Sequence, residues 1–443
     1  MKSKRGEIDV DKLFEMEAGA KIRHSAQTFH NGIFAFGGIF GGQKVLIRAD
    51  GEIIPEDKDN PFLFSDSKLS GNAVRLFRNK HSLPGQIILC LLVELFSTYV
   101  FFKDPRVPLL LSLWVMGTYL FKVFRYYGYL LLNSPGRRCG KTLVLDILSR
   151  ISFNATSIQV NPSEAVIFRQ VNSEDATLIL DELETLSGPY EEKKRSLIGL
   201  LNAGFQYESQ VKRMEGQGRD MRIASFNAYS PKALAAINKM PGTIEDRSFR
   251  VVMVRKLKSD KVERFIFRRV EKDIADIRDN LCAWALSNAE EVISVYEQAD
   301  TFKGLELIDD RQTDIFEPLL SIAKVVDLEI GDETLPTVKA ITPLALSMAG
   351  ERTTIEQSEG AIPAAVAILK EIVTGKDEVF ISSEALLERF QKDEALNFTD
   401  TRSMAGFLRR IEIYREQKRI GAKRKRGYNL KRSHIEDLEK RYT

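Results

Sequence analysis

The chain has 443 residues, 44% of them hydrophobic and 29% charged, and its net charge is only +3. That length suits roughly two to four domains with a full core, and the near-neutral balance excludes a polycation that coats nucleic acid along its whole surface. The cysteines Cys90, Cys139 and Cys282 and the four histidines lack metal-like spacing, which excludes a disulfide scaffold and a zinc signature and fits a cytoplasmic setting.

Met1-Lys2-Ser3-Lys4-Arg5 is basic but leads into acidic and polar residues, unlike a signal peptide. Residues 1–66 are expected to form a charged leader and a small β-rich module. Its strands are Gly32–Gly38 and Gln43–Arg48, with Asp50-Gly51 as a hairpin-type turn. Residues 67–127 read as helical and apolar. The stretches Gln86 to Phe102 and Val107 to Phe121 suit either buried helices or a membrane hairpin. Gln86, Glu94 and their modest length favour burial and no membrane contact.

Residues 128–256 alternate strands and helices, the pattern of a parallel sheet covered on both faces. Strands are expected at Ser157–Val160, Thr177–Leu180, Met221–Phe226 and Phe249–Met253, and Ser163 caps a helix. Residues 257–375 read as a helical lid or linker, and residues 376–443 are short-patterned and basic.

The apolar run Gly128-Tyr129-Leu130-Leu131-Leu132 leads into Asn133-Ser134-Pro135-Gly136-Arg137-Arg138-Cys139-Gly140-Lys141-Thr142, and a helix-like stretch follows. Successive N–H groups in such a loop form an anion nest, and the helix N-terminus adds a positive dipole end. Residues Ser134 to Thr142 would cradle the phosphates of a nucleotide. Lys141 would reach the β- and γ-phosphates, and the Thr142 hydroxyl would bind Mg²⁺. Pro135 stands where a glycine is usual and has no N–H to donate.

Farther on, Leu178-Ile179-Leu180 ends in Asp181-Glu182. Asp181 at a strand tip can hold Mg²⁺ with Thr142, and Glu182 can polarise the attacking water. The plain alternative is an acidic pair that merely ends a strand. Asn227, after the strand at 221–226, can orient that water or be a turn residue. Arg247 precedes the strand at Phe249. It suits an arginine supplied in trans or an ion pair with Glu245 or Asp246, and Arg250 is the other candidate for the trans role.

These pieces, in this order, resemble the AAA+ ATPases: Walker A at Gly140-Lys141-Thr142, Walker B at Asp181-Glu182, sensor 1 at Asn227 and an arginine finger at Arg247. Local strings such as Leu201-Asn202-Ala203-Gly204 and Phe316-Glu317-Pro318-Leu319-Leu320 bring it nearest to the helicase-like ATPases of phages, plasmids and integrated bacterial islands, many of them known only as domains of unknown function. The resemblance spans roughly residues 90–325. It implies an α/β fold with a P-loop core, and an Arg311 that is either a sensor-2 arginine reaching back from the lid or a solvated surface residue.

Gln210 to Arg219 reads as a hairpin. In the related superfamily 3 helicases such a hairpin projects basic residues into a central channel, which makes Lys212, Arg213 and Arg219 candidates for phosphate contact. At the C-terminus, two helices (Ser382–Gln391 and one capped by Asp400) precede a basic hairpin. This resembles a winged helix, with Lys423, Arg424, Lys425 and Arg426 as the wing.

The expectation is a cytoplasmic, ATP- and Mg²⁺-dependent motor that acts on DNA as a homo-oligomer, a hexamer by resemblance. It would serve as helicase or replication initiator of a mobile element beside a primase or other replication proteins. The alternative is an ATP-hydrolysing switch or scaffold, as in phage defence, that binds nucleic acid without unwinding it.

Overall fold

Residues 27–30, 32–40, 43–55, 71–134, 136, 138–160, 162–183, 191–207, 209–215, 222–237, 240–257, 259–298, 302, 310–359, 361–393, 396, 398–411, 413–420 and 423–442 are described by the computed structural model. The expected leader, Pro135, Arg137 and Arg219 lie outside them. The chain divides into two units, residues 1–346 and 347–443.

The first unit opens with an antiparallel sheet of β1 (Gln27–His30), β2 (Ile33–Phe40), β3 (Gln43–Arg48) and β4 (Ile53–Pro55), in that order. Asp50-Gly51 turns the chain between β3 and β4, with Gly51 at φ +90°. The sheet is anchored by Phe36, whose ring stacks on Phe153 at 5.2 Å, and by Gln27, whose amide donates to the Thr118 carbonyl at 2.6 Å.

Helices α1 (Gly71–Arg78), α2 (Gly85–Tyr99) and α3 (Val107–Thr118) follow. The two apolar stretches are thus helices of 15 and 12 residues. No described helix is long and apolar enough to cross a membrane.

The central sheet is parallel and five-stranded. It is built from β5 (Tyr129–Ser134), β6 (Gln159–Val160) and β7 (Leu178–Asp181), then β10 (Lys232–Ile237) and β11 (Ser248–Val252), in the order β11-β5-β10-β7-β6. Its crossovers carry α4 (Lys141–Ile151), α5 (Glu164–Glu174), α6 (Glu191–Ala203) and the short α7 (Gly242–Glu245). Every residue of β5 and β7 is buried, as expected of a sheet covered on both faces.

Two features differ from expectation. The sequence Lys232-Ala-Leu-Ala-Ala-Ile237, rich in alanine and so a poor strand signal, lies at the sheet centre between β5 and β7. The strand expected in the sheet at 221–226 is instead β9 (Arg222–Asn227). Among the described residues it pairs with β8 (Gln210–Glu215) alone, as the return arm of a separate two-stranded ribbon.

Helices α8 (Phe267–Glu297) and α9 (Asp310–Glu329) complete the first unit with the start of α10 (Pro336–Glu359). α8 and α9 pack with α1, α2 and α3, so the expected pre-core segment and much of the expected lid share one helical layer. One carboxylate pins three of these helices: Glu329 Oε2 accepts from the Gly85 N–H at 2.7 Å and from Trp284 Nε1 at 3.0 Å. Trp114 and Trp284 are fully buried here.

The second unit contains α11 (Ala361–Val373), β12 (Glu378–Ser382), α12 (Ser383–Phe390), α13 (Thr401–Arg410), β13 (Arg415–Ile420), β14 (Lys423–Lys431) and α14 (Arg432–Tyr442). The antiparallel sheet runs β12-β14-β13. Leu369, Leu386, Phe390, Met404, Leu408, Tyr428 and Ile435 share its core. α11 contributes to that core, so the unit begins well before the composition shift at residue 376. Asp400 and Ser403 form a reciprocal capping box on α13.

Candidate active site

The phosphate loop leaves β5 at Ser134, the C-terminal edge of a parallel sheet, where open α/β folds bind their ligands. Gly140 has φ +87°, a conformation that side chains resist, and serves as the N-cap of α4. The first N–H groups of α4 therefore open onto the loop without intrahelical partners. Lys141 is buried and its ammonium donates to Ser134 Oγ. Ser134 Oγ in turn donates to the Gly136 carbonyl at 2.6 Å.

The sheet brings the acidic pair to this loop. Asp181 ends β7, one strand removed from β5, with β10 between them. Thr142 Oγ1 donates to Asp181 Oδ2 at 3.0 Å, and Asp181 Oδ1 accepts from the Glu182 N–H at 2.8 Å. A hydroxyl beside a carboxylate is a hard oxygen pair that fits Mg²⁺. Glu182 has φ +56°, a strained backbone worth about 1–3 kcal/mol that turns its exposed side chain out from the strand end. Arg138, Cys139, Gly140, Lys141, Thr142, Leu143, Asp181, Glu182 and Ile237 line one cavity of about 330 Å³, within the range of small-molecule sites.

Asn227 is not brought to the sheet. It ends the ribbon strand β9, its side chain accepts from the Tyr229 N–H at 3.0 Å, and its own N–H donates to Asn172 Oδ1 at 2.9 Å. The strand that opens on the cavity is β10, through Ile237. Asn238, the next residue in sequence, lies outside the described residues.

Arg247 lies at the other end of the sheet. Its carbonyl accepts from the Tyr129 N–H at 2.9 Å, at the start of β5, whereas the phosphate loop leaves the end of β5. At about 3.3 Å per residue the strand separates the two by roughly 17 Å. The guanidinium donates to the Thr243 carbonyl at 2.5 Å and lies 5.8 Å from the centre of the Phe205 ring. Its Nε is buried without a partner among the described residues. Burial, and then the nearby Arg311 charge, lower its pKa. Glu245 instead accepts from the Met240 N–H at 3.1 Å. Arg250, the other candidate, lies mid-strand on β11 opposite Leu131.

Arg311, in the first turn of α9, stands beside Arg247 rather than beside the phosphate loop. Its guanidinium is 5.2 Å from the centre of the same Phe205 ring and 5.9 Å from that of Tyr126. Among the described residues it is ion-paired with Asp314 at 3.3 Å. A sensor-2 role toward its own nucleotide does not fit this position.

On the ribbon, Lys212 is exposed opposite Ser225. Arg213 points the other way and is ion-paired with Glu164 of α5. The outer face continues with Met214 opposite Ile223, 56% and 68% exposed.

In the second unit, Arg424, Lys425 and Arg426 are exposed on β14. The register sets Lys418 opposite Lys425 and Arg419 opposite Arg424, and directly opposed like charges are unfavourable. Arg402 and Arg409 are exposed on α13, and Arg415 donates to the Thr401 carbonyl at 2.8 Å, tying β13 to the start of that helix. These three arginines went unread in the sequence because they are scattered outside any basic run.

The family described as "Protein of unknown function (DUF3631)" matches residues 252–442, under half of the chain. No curated protein matches it. Among solved structures, the chain is similar to a full-length MCM homolog from Methanopyrus kandleri, with 12% identity and a TM-score of 0.40, over 74% of this chain and 77% of that one. A likeness at that level carries no weight for fold or function, which rest on the geometry above.

Proposed function

We propose that the chain is an ATP- and Mg²⁺-dependent AAA+ ATPase that acts on DNA, hydrolysing ATP at sites shared between subunits of a ring. The observation that carries this is the meeting of Lys141, Thr142, Asp181 and Glu182 around one cavity at the sheet's C-terminal edge. The loop N–H groups and Lys141 hold the phosphates. Thr142 and Asp181 would hold Mg²⁺, which neutralises phosphate charge when bound. Glu182 takes a proton from the attacking water. Asn238, following β10, takes the water-positioning role first read at Asn227.

The position of Arg247 supports an oligomer. It stands too far from its own phosphate loop to touch the nucleotide there, so it serves a neighbour, and head-to-tail contacts of this kind close into rings. A hexamer is the ring expected. The outer ribbon face at Lys212 and a winged-helix second unit with Arg424, Lys425 and Arg426 would hold DNA phosphates.

Helicase or initiator work for a mobile element, in the cytoplasm and beside a primase, is the biological setting proposed. DNA-stimulated ATP turnover with strand displacement on forked DNA tests it. Turnover with no displacement at any salt or polarity would instead identify a nucleotide switch.

A further inference from the structure

The second unit carries an exposed glycine in the middle of a helix, with an arginine toward either end. α13 buries Met404 and Leu408 in the unit's core, whereas Arg402, Gly406 and Arg409 are exposed. At about 100° per residue these three fall within about 60° of one another, on the side away from that core. An added Cβ at Gly406 would meet nothing of the described residues within 4 Å, and the residue lies inside the helix. Neither crowding nor a left-handed backbone therefore calls for glycine there, and glycine is a poor helix former. What it offers is bare backbone, which lets another molecule come close.

The surroundings are cationic. On β14, Tyr428 and Leu430 belong to the core, so by strand alternation Arg424 and Arg426 lie on the same helix-bearing side. The register sets Arg419 opposite Arg424 and Gln417 opposite Arg426, so Arg419 shares that side. Arg415, opposite Tyr428, donates to the Thr401 carbonyl at 2.8 Å and ties this side of β13 to the first turn of α13. The Asp400 carboxylate at the start of α13 accepts from the Arg402 and Ser403 N–H groups at 2.8 and 2.7 Å.

A slender helix with a bare centre and a forked cation toward each end matches the major groove of duplex DNA. That groove is about 12 Å wide, and each guanine presents two acceptors that a guanidinium engages as a pair. The seven residues from Arg402 to Arg409 span about 10.5 Å of helix axis, or about three base-pair steps.

We infer that α13 seats Gly406 in the major groove of duplex DNA, with Arg402 and Arg409 reading two guanines about three base pairs apart. Arg419, Arg424 and Arg426 hold flanking phosphates. The inference rests on the proposed DNA binding by the second unit and adds sequence discrimination to it.

Binding of the full-length chain to randomised duplexes, followed by titration of defined ones, tests this. Bound duplexes should be enriched in two guanines at that spacing, and replacing either G·C pair by A·T should weaken binding by about 5-fold or more. Arg402→Ala should erase the preference at one guanine, so that the original and substituted duplexes bind alike, and Arg409→Ala should do so at the other. Arg402→Lys keeps the charge but not the fork and should lose the same preference. Loss at one base position at a time is not what misfolding produces.

Gly406→Ala should raise the melting temperature, because alanine favours the helix. It should nevertheless weaken binding to the preferred duplex by about 5-fold or more, as an added methyl does in a close contact. A purely structural residue would move both in the same direction.

No enriched sequence, with the arginine variants weakening binding to every duplex alike, would overturn the base reading and leave phosphate binding by the second unit standing. Parent-like affinity of Gly406→Ala for the preferred duplex would overturn the seating of α13. Unchanged duplex binding in all of these variants and in Arg424→Ala would overturn DNA binding by the second unit itself.

Discussion

Thr142 and Asp181 lie 39 residues apart in sequence, yet the hydroxyl of one donates to the carboxylate of the other at 3.0 Å. The contact exists because α4 starts at the end of β5 and Asp181 ends β7, two strands that stop at the same sheet edge. Thr142→Ala and Asp181→Asn should each weaken Mg²⁺-dependent ATP binding by about 1–3 kcal/mol, and the double variant should cost clearly less than the sum. Calorimetric titration with Mg²⁺ and with chelator measures this, and full additivity would separate the two residues.

Gly140 is required by its backbone, not by space. Among the described residues an added Cβ would meet only Met253 Cε, at 3.5 Å, but φ is +87°. Gly140→Ala should therefore cost about 1–2 kcal/mol through the left-handed conformation and impair nucleotide binding by reshaping the loop. Gly136→Ala, where a Cβ would find nothing of the described residues within 4 Å, should change stability by less than about 0.5 kcal/mol. Thermal melts and nucleotide titrations of the two variants check the contrast.

The two basic ribbon residues should separate in their effects. Lys212→Ala leaves the fold unchanged and weakens single-stranded DNA binding, with a shallower salt dependence by about 0.7 for the lost phosphate contact. Arg213→Ala instead breaks the tie to Glu164 that holds the ribbon to α5, so it should raise proteolytic sensitivity of the ribbon. Salt-titrated binding and limited proteolysis distinguish them.

In the second unit, stability and DNA binding should move in opposite directions. Arg424→Ala removes a like-charge pair with Arg419 and should stabilise the free protein by about 0.2–1 kcal/mol while weakening duplex binding. Melting in parallel with binding at several salt concentrations reads both signs.

Alkaline pH should loosen the helical layer through Tyr296, whose phenol is pushed up to about 12, chiefly by burial. A raised folded value favours the neutral phenol. Its stabilisation is complete below about pH 10, the ordinary tyrosine value, and is lost as pH rises through about 12, for a total near 2–3 kcal/mol. Tyr296→Phe should flatten the fall in melting temperature between those limits.

The nucleotide site was legible where chemistry is local. Gly140-Lys141-Thr142 and the apolar strand ending in Asp181-Glu182 announce themselves by residue type and spacing, and the structure brings them to one cavity. The order of the strands was not legible. Met221-Arg-Ile-Ala-Ser-Phe226 alternates, which is the signature of a half-exposed ribbon arm. The run Ala233-Leu-Ala-Ala-Ile237 is continuously apolar, as a strand buried on both faces must be. Asn227 therefore ends a ribbon arm, and the expected strand at 221–226 is not part of the central sheet.

The choice between the two readings of Arg311 was not legible for a different reason. Its partner ring, Phe205, and its neighbour Arg247 are distant in sequence and meet only through tertiary packing. The arginines of α13 likewise become a surface only when the second unit folds.

Steady-state ATP turnover by Glu182→Gln, measured beside its affinity for ATP with Mg²⁺, tests the central claim most directly. The account predicts that turnover falls by at least about 10²-fold, the contribution of a general base, while affinity remains within a few-fold of the parent. Turnover equal to the parent's at saturating ATP would contradict it and remove Glu182 and its cavity from the chemistry.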